Sequence, residues 1–154
     1  MPFDANLVLI DGTVTLTAAT AASHVPATST TRETTNTGAA VIDLKETGVK
    51  GLAAVLVLPT AGNGTTDYLV GYIQSSDTED MTGTTTGILH HGTFGIAAAT
   101  TGRILGNEAP AIVVLRFTTT KRYVRANLTP VAGNGTGSFG LVQVLLSPYP
   151  FDIL

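Results

Sequence analysis

The sequence predicts an all-β domain, a sandwich or barrel of short strands with very little helix. Short apolar stretches recur between positions held by Gly, Pro, Asn and Asp, which is how strands and their turns are punctuated. Threonine gathers in clusters such as Thr28–Thr31, Thr84–Thr86 and Thr118–Thr120, and its β-branched stem favours strands and strand edges over helices. No window of helical length carries an i, i+3, i+4 apolar stripe free of Gly or Thr, so helix is limited to at most one turn near Thr78–Met81.

The strands follow in order. Asn6–Ile10 ends at Asp11-Gly12, and Thr13–Ala19 begins just after that turn. Ala39–Leu44 follows Gly38, Leu52–Leu58 lies between Gly51 and Pro59, and Tyr68–Ser75 starts after Asp67. Gly92–Ala97 is next, then Ala111–Phe117 behind Pro110, Arg122–Pro130 closed by its own proline, and Ser138–Ser147 between Gly137 and Pro148. In Arg122–Pro130, Val124, Ala126 and Leu128 share one face while Tyr123 and Arg125 share the other, the pattern of a half-buried strand. The polar stretch 23–38 reads as an exposed loop, ordered by a partner if at all. "LPTAGNGTTD" (Leu58–Asp67) and "TPVAGNGTGS" (Thr129–Ser138) repeat Ala-Gly-Asn-Gly-Thr and read as two hairpin tips, since Asn and Gly tolerate the positive φ such turns demand.

A chain of 154 residues fits one domain, residues 1–154. Charged residues make up only 12% against 44% hydrophobic; a soluble protein ordinarily carries about 25% charge. A surface so poor in charge is expected to be covered in use. The net charge of −3 does not provide the positive field of a non-specific nucleic-acid binder. Cysteine is absent, which excludes disulfides and thiolate zinc sites. The N-terminus lacks a basic leader and is not expected to be a signal peptide. The apolar runs Gly51–Leu58 and Ala111–Leu115 fall far short of the ~20 residues of a membrane span, so no membrane association is expected.

Catalytic and metal-binding signals are weak. His90 and His91 are adjacent, so on a regular strand they face opposite ways, and neither they nor His24 have metal-ligand spacing. The acidic group Asp77, Glu79 and Asp80 departs from a calcium loop and reads as a solvated turn. The Gly-rich segments match no phosphate-binding fingerprint. No catalytic residue, metal or cofactor is therefore assigned. An enzyme would have to use His90 or His91 with Asp77 or Glu79.

Charge is concentrated at one place. Arg116, Lys121, Arg122 and Arg125 are half of the chain's basic residues. Only Phe117 and Tyr123 accompany them as aromatics, too few for a single-strand stacking platform, so nucleic acid is not the expected partner. Arg116, Arg122, Tyr123 and Arg125 instead read as a protein interface, because Arg holds carboxylates bidentately and Arg and Tyr are enriched where proteins meet. The tail 148–154 adds Tyr149, Phe151, Ile153 and Leu154 as apolar groups needing cover, with Pro148 and Pro150 opposing regular ladder pairing. It reads as an arm reaching a neighbour.

"APAIVVLRF", "KRYVRANLTP" and "GSFGLVQVLL", taken in this order with "QSSDTED" and "VIDL", resemble the capsid cement, or decoration, proteins of short-tailed bacteriophages over about Val41 to Leu146. That resemblance implies a jelly-roll β-sandwich, a homotrimer on the outer surface of the virion's shell that bridges major capsid proteins, and no enzymatic activity. Such a protein is made in the host cytoplasm. The rival expectation is a carbohydrate- or receptor-binding β-sandwich of a phage tail or head fibre; the absence of Trp speaks against a sugar-stacking platform.

Overall fold

The computed structural model describes residues 7–12, 15–16, 33–34, 40–45, 50–60, 62–78, 87–94, 96–98, 101–105 and 110–148. His24, Glu79, Asp80, the tail residues Tyr149, Phe151, Ile153 and Leu154, and all of loop 23–38 but Glu33 and Thr34 lie outside them. Every named element is a strand: β1 Val8–Asp11, β2 Glu33–Thr34, β3 Ala40–Asp43, β4 Lys50–Leu58, β5 Tyr68–Ser76, β6 Leu89–Phe94, β7 Ile96–Ala98, β8 Thr101–Leu105, β9 Ala111–Thr119, β10 Tyr123–Val131 and β11 Gln143–Pro148. The chain is an all-β sandwich. One sheet has the order β1-β11-β4-β9 and the other runs β2-β3-β10-β5. Beyond β5, β6 pairs along Gly71–Ser75 and β8 along Tyr68–Val70, with β7 outside β8.

Alternation fills the space between the sheets. Leu52, Ala54, Leu56 and Leu58 of β4 point inward beside Val144 and Leu146 of β11, and meet Leu69 and Ile73 of β5 with Val124, Ala126 and Leu128 of β10. Among the described residues, Phe94 and Phe139 are the largest fully buried side chains. Room for Phe94 comes from Gly71: a Cβ there would lie 2.8 Å from Leu128 Cδ2 and 3.1 Å from Phe94 Cδ2. A glycine in mid-strand usually marks such a close approach.

Three expectations need correction. The Ala-Gly-Asn-Gly-Thr segments are not hairpin tips, because β4 pairs with β11 and β9 while β5 belongs to the opposite sheet. Each segment instead carries the chain across the sandwich, one from β4 to β5 and the other from β10 to β11. The strand Arg122–Pro130 is not half-buried: Tyr123, Arg125 and Asn127 on its outer face are as covered, at 8%, 9% and 6% exposure, as a core strand's residues. β10 lies between β3 and β5, and Arg125 lies along the sheet with its Nε donating to Gln74 Oε1 at 2.9 Å. Finally, the stretch expected as Thr13–Ala19 forms only a bridge from Leu16 to Gly140 among its described residues, while β2 and β8 were not foreseen. Both have short or mixed sequences with no clear alternation.

Candidate assembly surface

An antiparallel sheet with one solvated face normally alternates apolar inside and polar outside. The β1-β11-β4-β9 sheet does not. The outward residues of β4 are Gly51, Ala53, Val55 and Val57, with no polar side chain among them. Cross-strand register sets Val55 between Leu145 of β11 and Val114 of β9, and Val57 between Gln143 and Ile112. The next row is Ser147, Ala53 and Arg116. Five aliphatic side chains thus adjoin on the outside of the sheet, with Arg116 at their margin. Ile112 and Val114 are 70% and 52% exposed, although a nonpolar patch of this kind is normally covered. At its end Val57, Leu58, Pro59, Pro110, Ala111 and Ile112 line a shallow apolar hollow of about 330 Å³.

The predicted interface residues are divided between the two sides of the sandwich. Arg116 projects outward from the first sheet, beside Ala53. Arg122, Tyr123 and Arg125 belong to the second sheet and the turn leading into it, because β9 and β10 are consecutive in sequence yet lie in opposite sheets. Arg122 is engaged at home: its Nε and Nη2 donate to Asp43 Oδ1 and Oδ2 at 2.8 and 2.7 Å, and its Cζ lies 5.0 Å from the Tyr123 ring centroid. Lys121 is ion-paired with Asp77. The basic cluster is therefore not one surface.

The two repeated segments meet at one end of the sandwich and bind each other reciprocally. Asn63 Nδ2 donates to Thr136 Oγ1 at 2.6 Å, and Asn134 Nδ2 donates to Thr65 Oγ1 at 3.1 Å. Asn63 Oδ1 accepts from the Thr136 and Ser138 amides, while Asn134 Oδ1 accepts from the Thr66 amide. Beneath them Asp67 is fully buried, its Oδ1 accepting from the Gly133 and Gly135 amides at 2.7 and 2.9 Å and its Oδ2 from Gly137 at 2.8 Å. Several backbone amides converging on one carboxylate give it a fixed positive surround. The glycines are a steric requirement as well: a Cβ on Gly64 would lie 2.6 Å from both Asn134 Oδ1 and the Gly135 nitrogen. The Asn-Gly repeat is thereby explained as a clasp that ties both crossovers together.

This clasp makes stability depend on pH. Burial pushes the Asp67 carboxyl upward, but the backbone amides of Gly133, Gly135, Gly137 and Asn134 outweigh it and hold it below the ordinary 3.8. Asp43 is also lowered, chiefly by the Arg122 hydrogen bond, with burial opposing and the Lys45 amide assisting. A carboxyl depressed in the folded state stabilises above its unfolded pKa and loses that effect as pH falls through the folded value. The melting temperature should be level above about pH 5 and fall steadily below about pH 4. Calorimetry from pH 7 to 2 checks this; a curve that stays flat to pH 2 would exclude both groups.

A second polar group lies between the sheets. Ser75 Oγ is 2.6 Å from His91 Nε2 and 2.9 Å from Thr119 Oγ1, and the His91 ring packs on Phe117 at 4.8 Å between centroids. The β5–β6 register shifts between Ile73 and Gln74, leaving His91 as the extra residue of a bulge, which re-aims its side chain. The Ser–His spacing is that of a nucleophile and its base, yet Ser75 is fully buried. The group joins β5, β6 and β9 across the sandwich. Among the described residues no three His, Cys, Asp or Glu side chains gather as metal ligands, and no helix is long and apolar enough to cross a membrane.

The aliphatic face was missed in the sequence, although a signal was present: Gly51–Leu58 and Ala111–Leu115 are apolar in both phases of the strand period, the mark of a strand covered on both faces. No family model, no curated protein and no solved structure matches this chain.

Proposed function

We propose that this chain is a structural protein of a bacteriophage particle, held as a homotrimer on the outside of the shell and bridging major capsid proteins. The observation that carries the reading is the aliphatic outer face of the β1-β11-β4-β9 sheet, where Val55, Val57, Ile112, Val114 and Leu145 adjoin. Permanent assembly interfaces are apolar and poor in charge at their centres, and here the polar Gln143 and Arg116 flank the aliphatic residues. Strand order supports a jelly roll. Setting aside β2, β7 and β8, eight strands remain, β1-β11-β4-β9 facing β3-β10-β5-β6. In that skeleton successive strands exchange sheets at every step except β5 to β6, the path of a double Greek key.

Mechanically, such a protein works by multivalency. Each copy contributes one modest face, and linkage through a trimer makes every further contact intramolecular, so release requires several contacts to fail together. Co-sedimentation with purified shells of the phage encoding the chain tests the reading. Saturable binding to the pellet is expected. A protein that stays in the supernatant with intact shells, while binding defined glycans on an array, would replace this reading with that of a receptor-binding module.

A further inference from the structure

We infer that β9 is a self-pairing edge, joining this chain to a second copy as an antiparallel β9–β9 ladder about a twofold axis. β9 is nine residues long and, among the described residues, forms a ladder with β4 alone, in unbroken register from Lys50–Thr119 to Leu58–Ala111. Natural sheets blunt such edges with bulges, prolines, inward charges or short strands. None interrupts β9, whose prolines and turns lie outside it and whose only charge, Arg116, points outward.

The inner side of the strand is also incomplete. Ala111, Val113 and Leu115 face inward from β9 yet are only half-buried, whereas the inward Leu52, Ala54, Leu56 and Leu58 of neighbouring β4 are at most 5% exposed. A further strand beside β9 would finish that burial and also flank Ile112 and Val114, two of the four large exposed hydrophobics among the described residues.

The self-pairing of β9 is compatible with its one charge when centred on Val114. With Val114 opposite Val114, each Arg116 faces Ile112 of the other copy, and the two guanidinium-bearing positions are four residues apart, about 14 Å along the strand. That exceeds the ~8 Å screening length at physiological salt. The register centred on Arg116 sets like charges about 5 Å apart and is disfavoured. A trimer carries three such edges, so twofold ladders would tie neighbouring trimers together while the aliphatic face remains on the shell. The inference goes beyond the proposed function and does not depend on it.

The chain has no cysteine, which makes Val114→Cys a clean probe. Opposed residues in an antiparallel ladder have Cα atoms about 4.5–5.5 Å apart, within disulfide reach. Mild oxidation of Val114→Cys should convert most of the protein to a covalent dimer, while Leu141→Cys, at a comparably exposed position (49%), should remain monomeric on a denaturing gel. In sedimentation velocity, Val114→Lys and Val114→Glu alone should each lose the twofold β9–β9 association, and an equimolar mixture should regain it. Equal cross-linking at both cysteine positions, or no rescue on mixing, overturns the inference. So does a Val114→Cys product that joins a shell protein in preference to a second copy. A parent chain that binds shells but forms no twofold pair refutes only this edge pairing; one that forms the pair but stays free of shells refutes only the capsid reading.

Discussion

Asp67→Ala is expected to lower the melting temperature by on the order of 10 °C, the largest effect of any single polar substitution in the described structure. Three backbone amides, those of Gly133, Gly135 and Gly137, lose their acceptor at once. Asp67 is fully buried, so water does not readily replace it, and buried donors without partners are far costlier than the hydrogen bonds themselves are stabilising. The damage spreads because both crossovers share this carboxylate. Asp67→Asn should be milder: its carbonyl oxygen can still accept from Gly133 and Gly135, but its amide group opposes the Gly137 donor. The same substitution should flatten the acid limb of the stability curve by removing a titrating group. Scanning calorimetry of both variants checks this, and a fall of less than about 2 °C for Asp67→Ala would show the clasp to be dispensable. Combining Asp67→Ala with Asn63→Ala should be far less than additive, since the two side chains serve one network.

The double substitution Ile112→Lys with Val114→Lys should abolish shell binding and the β9–β9 pairing while leaving the melting temperature within a few degrees of the parent. Both side chains point outward and are at least half exposed, and exposed substitutions away from special features usually change stability by about 0.5 kcal/mol or less. In an assembly the same positions would have to bury two ammonium groups without partners, at about 3–5 kcal/mol or more. A loss in affinity of at least ~100-fold follows. Parallel measurement of shell co-sedimentation and thermal stability separates the outcomes. Undiminished binding by a folded variant would remove the aliphatic face from the assembly, and a collapsed melting temperature would make it part of the fold. The contrast with Asp67→Ala is diagnostic, because one variant tests what holds the chain together and the other what the chain holds.

Much of the architecture was legible from residues alone. Most strands fall where Gly, Pro, Asn and Asp bound short apolar runs, as in Leu52–Leu58 and Tyr68–Ser75, because turn chemistry and strand preference are local properties. Partnership is not local. "KRYVR" reads as one basic patch, but the crossing between β9 and β10 places Arg116 on one side of the sandwich and Arg125 on the other. His90 and His91 are adjacent, yet a bulge sends His91 to Ser75 and Thr119, a shift set by the pairing of β5 with β6.

The residues alone indicate an all-β chain, poor in charge, with most of its long strands marked but β2 and β8 unmarked, and an Asn-Gly motif present twice. Tertiary structure alone decided that the two motifs bind each other, that Asp67 is their common acceptor, and that the aliphatic residues of β4 and β9 align in rows on an open face. The physical reason is that backbone preference acts between neighbours in sequence, whereas reciprocal hydrogen bonding and cross-strand register act between residues some seventy apart, such as Asn63 and Thr136 (|i−j| = 73), and exist only once the sheets are ordered.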